Sequence, residues 1–351
     1  MIYKNYNTTL GVMMKKIIFI VLILLVFTLI RAEKIAEFDL LVSGSMSLSQ
    51  NSRCYVLYSH REGLILIYDR QTMKQTAKFG KIGEAPGEFL GGIVRVLANS
   101  DLLYISSRGR LGCFDLNGRH ISDTRISPND HITGFIGGNF LVQHLSIEKD
   151  RKEISMISTL RDPEMKELKS LFEQKMRSGP NAAYQFEPFE AFASATHDDR
   201  HIVLSDPRGD GLITILDAQG NQLVAIRHPF EKIPVTTEDK EREKKAFMDS
   251  LANNPYMKQN QEKIEYVFPD EYPPFIYAVP DRERILVRTY KTESEHMEFL
   301  CFHISGKYLG VIRQPKKQVG DLYQGYFYRL EENEETEMYE LHRWPVAEPQ
   351  L

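Results

Sequence analysis

After residue 33 the chain alternates short apolar runs with polar turns, and one order of pieces recurs. A two-residue turn leads into a strand rich in β-branched and aromatic residues. A polar loop, a second strand, a tight turn and a third strand follow. The first turns are Asn51-Ser52, Asn99-Ser100, Gly137-Gly138, Asp198-Asp199, Asp281-Arg282 and Gln324-Gly325. The strands they open are 54–58, 102–105, 140–143, 201–204, 285–288 and 326–328, with the composition that packs on pleated surfaces. The later turn is more regular still. Asp69, Asp115, Asp217 and His303 each end a strand, and Gly118, Gly220 and Gly306 then supply the positive φ that a hairpin turn asks for.

The spacing of these units predicts the architecture. Asp69 to Asp115 is 46 residues, Asn99 to Gly137 is 38 and Asp281 to Gln324 is 43. Periods of about 40–50 residues with four strands each indicate a β-propeller. Six turns give six blades: an all-β fold of four-stranded antiparallel blades. The last blade lacks a strand, and 35–42 is assigned to supply it from the N-terminal side. Two intervals are too long for one blade, 61 residues from Gly137 to Asp198 and 83 from Asp198 to Asp281. The shorter insertion lies between Lys175 and Pro188. Met165, Leu168, Leu171 and Phe172 before it have helical spacing, yet the blade needs its fourth strand there, so strand is assigned. The larger insertion, about 231–272, lies between blades four and five and is read as helical. Thr236 is its N-cap with Asp239 three residues on, Glu238 to Lys245 is a charged face, and Pro255 breaks the run.

The N-terminus follows a different pattern. Lys15 and Lys16 precede an almost wholly apolar run, Ile17 to Ile30, too short for a typical membrane span and suited to the core of an export signal. Residues 1–32 are therefore a signal peptide or an uncleaved N-terminal anchor, with Met1, Met13 or Met14 as the start, and 33–351 the propeller. The expected location is periplasmic or extracellular, possible membrane attachment being through 17–30. Composition adds limits. With 44 Lys and Arg against 48 Asp and Glu, the net charge of −4 argues against a nucleic-acid partner. Three cysteines, Cys54, Cys113 and Cys301, sit in strand-like stretches, cannot build a disulfide framework and read as buried small hydrophobes.

The run Phe79-Gly-Lys-Ile-Gly-Glu-Ala-Pro-Gly-Glu-Phe89 resembles the inter-blade linker of exported bacterial six-bladed propellers related to the NHL-repeat group. Phe268-Pro269 with Tyr272-Pro-Pro-Phe275, and the strand and turn from Ile213 to Gly220, are similar to the same group. The resemblance implies the fold and an exported location, and no activity. Many members carry a lipobox cysteine, which this chain lacks. Gly80, Gly83 and Gly87 match neither a dinucleotide fingerprint nor a P-loop, and are read as a tight turn pinned by Phe79 and Phe89.

Candidate chemistry is sparse. His197-Asp-Asp-Arg-His201 looks like a metal cluster, but its place in the repeat makes it a hairpin turn. There is no zinc-binding His-Glu-x-x-His, no Cys-x-x-Cys and no Gly-x-Ser-x-Gly elbow. No nucleophile, metal ligand or cofactor is assigned. In a propeller, the loops between second and third strands share one face with the inter-blade links. That places His60, Arg61, Arg108, Arg110, Asp206, Arg208, Asp210 and Lys291 on the face carrying both insertions, as candidate ligand-binding residues, the arginines suited to a carboxylate or sulfate. Tyr272 and Phe275, beside the larger insertion, are read as pocket walls or, equally, as wedges packed between blades. The expected function is an exported binding or interaction module for a peptide, glycan or protein. The alternative is a metal-dependent hydrolase or lyase at the channel mouth, which needs several acidic or imidazole groups converging there.

Overall fold

Each stretch assigned to a strand from its turn and composition is one. The computed structural model describes residues 33–39, 45–147, 154–176, 185–189, 191–251, 264–292 and 295–350. The apolar run 17–30 and its flanks lie outside these residues. Among the described residues no helix is long and apolar enough to cross a membrane.

In chain order, β1 (Glu33–Phe38) is followed by four strands of a first sheet, β2 (Met46–Gln50), β3 (Cys54–Ser59), β4 (Ile65–Asp69) and β5 (Gln75–Phe79). The second sheet is β6 (Ile93–Ala98), β7 (Leu102–Ser107), β8 (Arg110–Asp115) and β9 (His120–Arg125). The third is β10 (Asp130–Ile136), β11 (Asn139–Ile147), β12 (Ile154–Arg161) and β13 (Glu167–Met176). After β14 (Gln185–Phe186) the fourth is β15 (Ser194–His197), β16 (His201–Asp206), β17 (Leu212–Asp217) and β18 (Gln222–Ile226). Helix α1 (Thr237–Leu251) and β19 (Glu265–Tyr266) precede the fifth, β20 (Tyr277–Asp281), β21 (Arg284–Thr292), β22 (His296–His303) and β23 (Tyr308–Pro315). Last come β24 (Asp321–Tyr323), β25 (Tyr326–Asn333) and β26 (Met338–Pro345). These are the six four-stranded antiparallel blades of a six-bladed β-propeller.

The described chain divides into two compact units. The smaller holds the sixth blade, ordered β1-β26-β25-β24. Its outer strand is β1, which pairs Glu33 with Arg343 and Phe38 with Tyr339. The missing strand therefore comes from the N-terminal side as predicted, but it begins at Glu33 and ends at Phe38, short of the expected 35–42. Arg343 holds the pairing with an ion pair to Glu33 at 2.6 Å.

The larger unit holds the other five blades. Its core lies between successive sheets. Val56, Tyr58, Ile65 and Ile67 of the first blade pack against Ile93, Val96, Ile105 and Phe114 of the second. Ile213, Ile215 and Val203 of the fourth pack likewise against Ile285, Val287 and Phe302 of the fifth. Each such side chain stabilises the fold by about 1.5–3 kcal/mol on burial. The helical spacing at 165–172 gives way to strand β13, whose ladder with β12 runs from Ile154–Met176 to Arg161–Glu167.

The turns explain why the repeat is visible in the sequence. The side-chain oxygen of Asn51, Asn99 and Asp198 accepts from the amides two and three residues on, at 2.6–3.0 Å. Asp69 and Asp217 cap the later turn in the same manner. In the fifth blade, His303 takes the aspartate's place, its Nδ1 accepting from the Ser305 amide at 3.1 Å. Such local bonds select Asn and Asp because the short polar side chain satisfies backbone donors that the ladder leaves open.

Candidate functional site

Two of the loop residues singled out by the sequence, His60 and Arg110, are engaged in holding the blades. His60 Nδ1 donates to the Ile93 carbonyl at 2.9 Å, and Nε2 accepts from the Ser47 hydroxyl at 2.8 Å. Arg110 donates to the carbonyls of Ala85 and Glu84 at 2.8 and 3.0 Å, so it braces the glycine-rich linker. Gly80 in that linker has φ +94°, and a Cβ there would lie 2.2 Å from the Gly63 carbonyl oxygen. Arg61 and Arg108 are exposed. Arg208 folds back on Asp206 with two bonds of 2.7 Å, a fork-to-carboxylate lock within one loop. Asp206 and Arg208 border a hollow of about 420 Å³ with Lys169 and Leu171, and Asp210 borders another of about 400 Å³ with Arg227 and Phe230. Of these seven, Asp206 and Arg208 meet directly.

Lys291 is different. It lines a cleft of about 990 Å³ between the start of α1 and the fifth blade. The first wall belongs to the larger insertion. Thr236 and Asp239 form a reciprocal cap: the Asp239 carboxylate accepts from the Thr236 hydroxyl at 2.6 Å and its amide at 3.0 Å, while the Asp239 amide donates to Thr236 Oγ1 at 3.2 Å. Arg242, one turn on, pairs with Asp239 at 2.7 Å and Glu243 at 3.2 Å. Burial pushes the Asp239 carboxyl up, but the bonds from Thr236, Arg242 and Tyr272 outweigh it and hold the group at about 2.

The floor is aromatic. Tyr272 and Tyr290 stack with centroids 4.5 Å apart, and Phe189 meets Tyr272 edge-on at 4.6 Å. Burial, with Tyr272 adding to it, pushes the Tyr290 phenol up to about 12. Phe275 takes the second of its two readings, the wedge between blades. Its ring is fully buried in the core between the fourth and fifth blades, 5.1 Å from Phe230. Tyr272 does line the cleft.

The second wall is the outer part of the fifth blade. His296, Glu298 and Arg313 share one face because Glu298 pairs with Arg313 across the β22–β23 ladder and His296 lies two residues from Glu298. Lys316 follows at the rim. Lys291 is raised chiefly by its hydrogen bond to Glu231; burial lowers it, Glu298 raises it and the nearby Arg313 opposes its charge. Apart from Lys291 and Tyr272, sequence reading missed this site. Register across the ladder, which fixes the placement of Glu298 and Arg313, has no signature in a single strand.

The two inter-blade insertions also meet. Strands β14 and β19 pair in parallel, Gln185 with Glu265 and Phe186 with Tyr266. Phe186 stacks on Phe247 of α1 at 3.9 Å, so the helix is tied to both insertions.

The 197–201 segment is the hairpin turn expected of it. Its Asp198 oxygen is used by the amides of Arg200 and His201. Among the described residues no group of three or more His, Cys, Asp or Glu is placed to hold a metal ion.

No family model and no curated protein matches the sequence. Among solved structures, the chain is similar to a Bacteroides fragilis protein inferred to be exported, at 11% identity and TM-score 0.51, over 91% of this chain and 96% of that one. It is also similar to Hsv2 of Kluyveromyces lactis, at 9% identity and TM-score 0.36 over 88% and 87% of the two chains. A third is AztD of Citrobacter koseri, at 11% and 0.36 over 84% of this chain and 65% of that one. At such identities the first likeness shows a shared fold and nothing further.

Proposed function

We propose that the protein is an exported binding propeller that receives its ligand in the cleft between α1 and the fifth blade. The observation carrying this reading is the cleft itself: about 990 Å³, an aromatic floor, and charged groups on two facing walls. Ligand sites are concave, with an apolar body and a few convergent polar groups, and this hollow has both. Export is supported by the basic pair and apolar run at residues 15–30 and by the description of the Bacteroides fragilis neighbour. The metal-dependent alternative has no set of ligating residues to support it among those described.

Parallel peptide and glycan arrays, probed with the wild-type protein and with the Arg242→Ala/Arg313→Ala double variant, test the reading. Signals present for the wild type and lost in the folded double variant are expected. Signals that the double variant retains in full would place the ligand elsewhere.

A further inference from the structure

We propose that the hollow between the third and fourth blades is a second binding site, which takes a small uncharged ring compound with one hydrogen-bonding group. The site shares no lining residue with the cleft and does not depend on it.

The first observation is a filling that this joint lacks. The other three joints between successive blades of the larger unit each hold three aromatic rings. Phe79, Phe89 and Phe114 lie between the first and second blades, with Phe114 5.2 and 5.8 Å from the other two centroids. Tyr104, Phe135 and Phe140 lie between the second and third, with centroids 4.8–4.9 Å apart. Phe230, Phe275 and Phe302 lie between the fourth and fifth. Among the described residues of the cluster joining the third and fourth blades, Phe172 is the single phenyl ring.

Two positions in the repeat account for the difference. The residue before the one that ends the third strand is Phe114 in the second blade and Phe302 in the fifth, but Leu216 in the fourth. Phe192 stands two residues before β15 as Phe275 stands two before β20, yet Phe192 is 41% exposed and Phe275 fully buried. Phe186 and Phe189 of the same link are turned to Phe247 and Tyr272. What is left is the hollow of about 420 Å³, walled by Leu171, Phe172, Leu204 and Leu216. An apolar hollow of about 150 Å³ holds a benzene ring, so this one has room for two fused rings.

The second observation concerns charge. Arg208 is forked onto Asp206, and Lys169 donates to Asn221 Oδ1 at 3.0 Å, so both cations at the mouth are already engaged. A charged ligand would enter the apolar walls without a free counter-charge, which burial penalises. Inside, the Ser205 hydroxyl is taken by Ser194 at 2.7 Å. The half-buried Thr214 hydroxyl lines the hollow and has no hydrogen-bond partner among the described residues. It is a handle for one ligand hydroxyl or carbonyl.

Isothermal titration of the full chain with 1-naphthol, naphthalene, 1-naphthoate and the peptide acetyl-Ala-Phe-Ala-amide tests this. 1-Naphthol is expected to bind, and the carboxylate of 1-naphthoate to weaken binding about tenfold or more. Leu216→Phe, which restores the ring of the second and fifth blades, should abolish binding and keep or raise Tm; Leu204→Phe serves where that variant is poorly folded. Thr214→Val should weaken 1-naphthol and leave naphthalene unchanged. In the wild type, 1-naphthol should slow amide exchange at 169–172, 204–216 and 220–222. Silence from both neutral probes overturns the proposal, as does binding that survives in the folded filling variants or protects other segments. Tighter binding of 1-naphthoate overturns the uncharged assignment. Tighter binding of the peptide, lost in Leu216→Phe, makes the hollow a pocket for a partner protein's side chain and overturns the small-molecule assignment.

Discussion

His60 shows how a residue that looks functional in sequence is used for architecture. Both ring nitrogens are engaged, by the Ile93 carbonyl and the Ser47 hydroxyl, so the side chain staples the first blade to the second. His60→Ala leaves a partly buried carbonyl without its donor, and should destabilise the protein by about 1–3 kcal/mol in urea unfolding while leaving ligand affinity unchanged. A loss below about 0.5 kcal/mol would be that of an ordinary surface position and would contradict the staple. The cysteines make a second case. Burial pushes the thiols of Cys54 and Cys301 up to about 11. At pH 8 both are protonated and covered, so a thiol-reactive dye should label neither quickly in the native protein and both on unfolding. Rapid native labelling of either would contradict the packing. Those two positions were legible because an apolar strand announces burial. The engagement of Arg110 and Arg208 was not, because a loop arginine reads the same whether it faces solvent or a backbone carbonyl.

At the scale of elements, α1 was legible from its cap. Thr236 followed three residues later by Asp239 is a sequence pattern with one physical meaning, and the helix begins there. Asp239 also gives the helix a pH dependence. Its folded-state pKa, about 2, lies below the ordinary value of about 3.9. The stabilisation is therefore complete above about pH 4 and is lost as the pH falls through about 2. Amide exchange in residues 237–251 should quicken across that window, and Asp239→Asn should remove the pH dependence. Exchange that quickens identically in the variant would mean the cap does not control the helix. The insertion also has a predicted independence. Among the described residues, the clusters that join the first blade to the second, the second to the third, the third to the fourth and the fourth to the fifth contain no residue of α1. Replacing 237–263 by a short Gly-Ser linker should thus preserve the strand signal in circular dichroism and abolish cleft binding. A variant that fails to fold would show the insertion to be structural. The parallel pairing of β14 with β19 had no signal in the sequence, since each strand is two residues long and the partners lie 80 positions apart.

For the molecule as a whole, the fold was far more legible than the site. A propeller repeats one supersecondary unit, so the same turn chemistry is written several times, and His303 in place of an aspartate does not hide it. The strand that completes the sixth blade was foreseeable because the repeat came out one strand short, although its ends were displaced by a few residues. The cleft is written once. It joins the first turns of a helix, the Tyr272 segment and three strands of one blade, and only folding brings these into register. Sequence therefore offered Tyr272 and Lys291 as isolated residues and gave equal standing to loop residues such as His60 and Arg110, which the structure uses between blades and on the linker. The central claim, that ligand enters between α1 and the fifth blade, is most directly tested by hydrogen–deuterium exchange with and without the array-selected ligand. Protection confined to residues 233–247, 269–277 and 289–316 is the predicted result. Protection centred on the loops at 60–64 and 108–110, with the cleft segments unchanged, would contradict it.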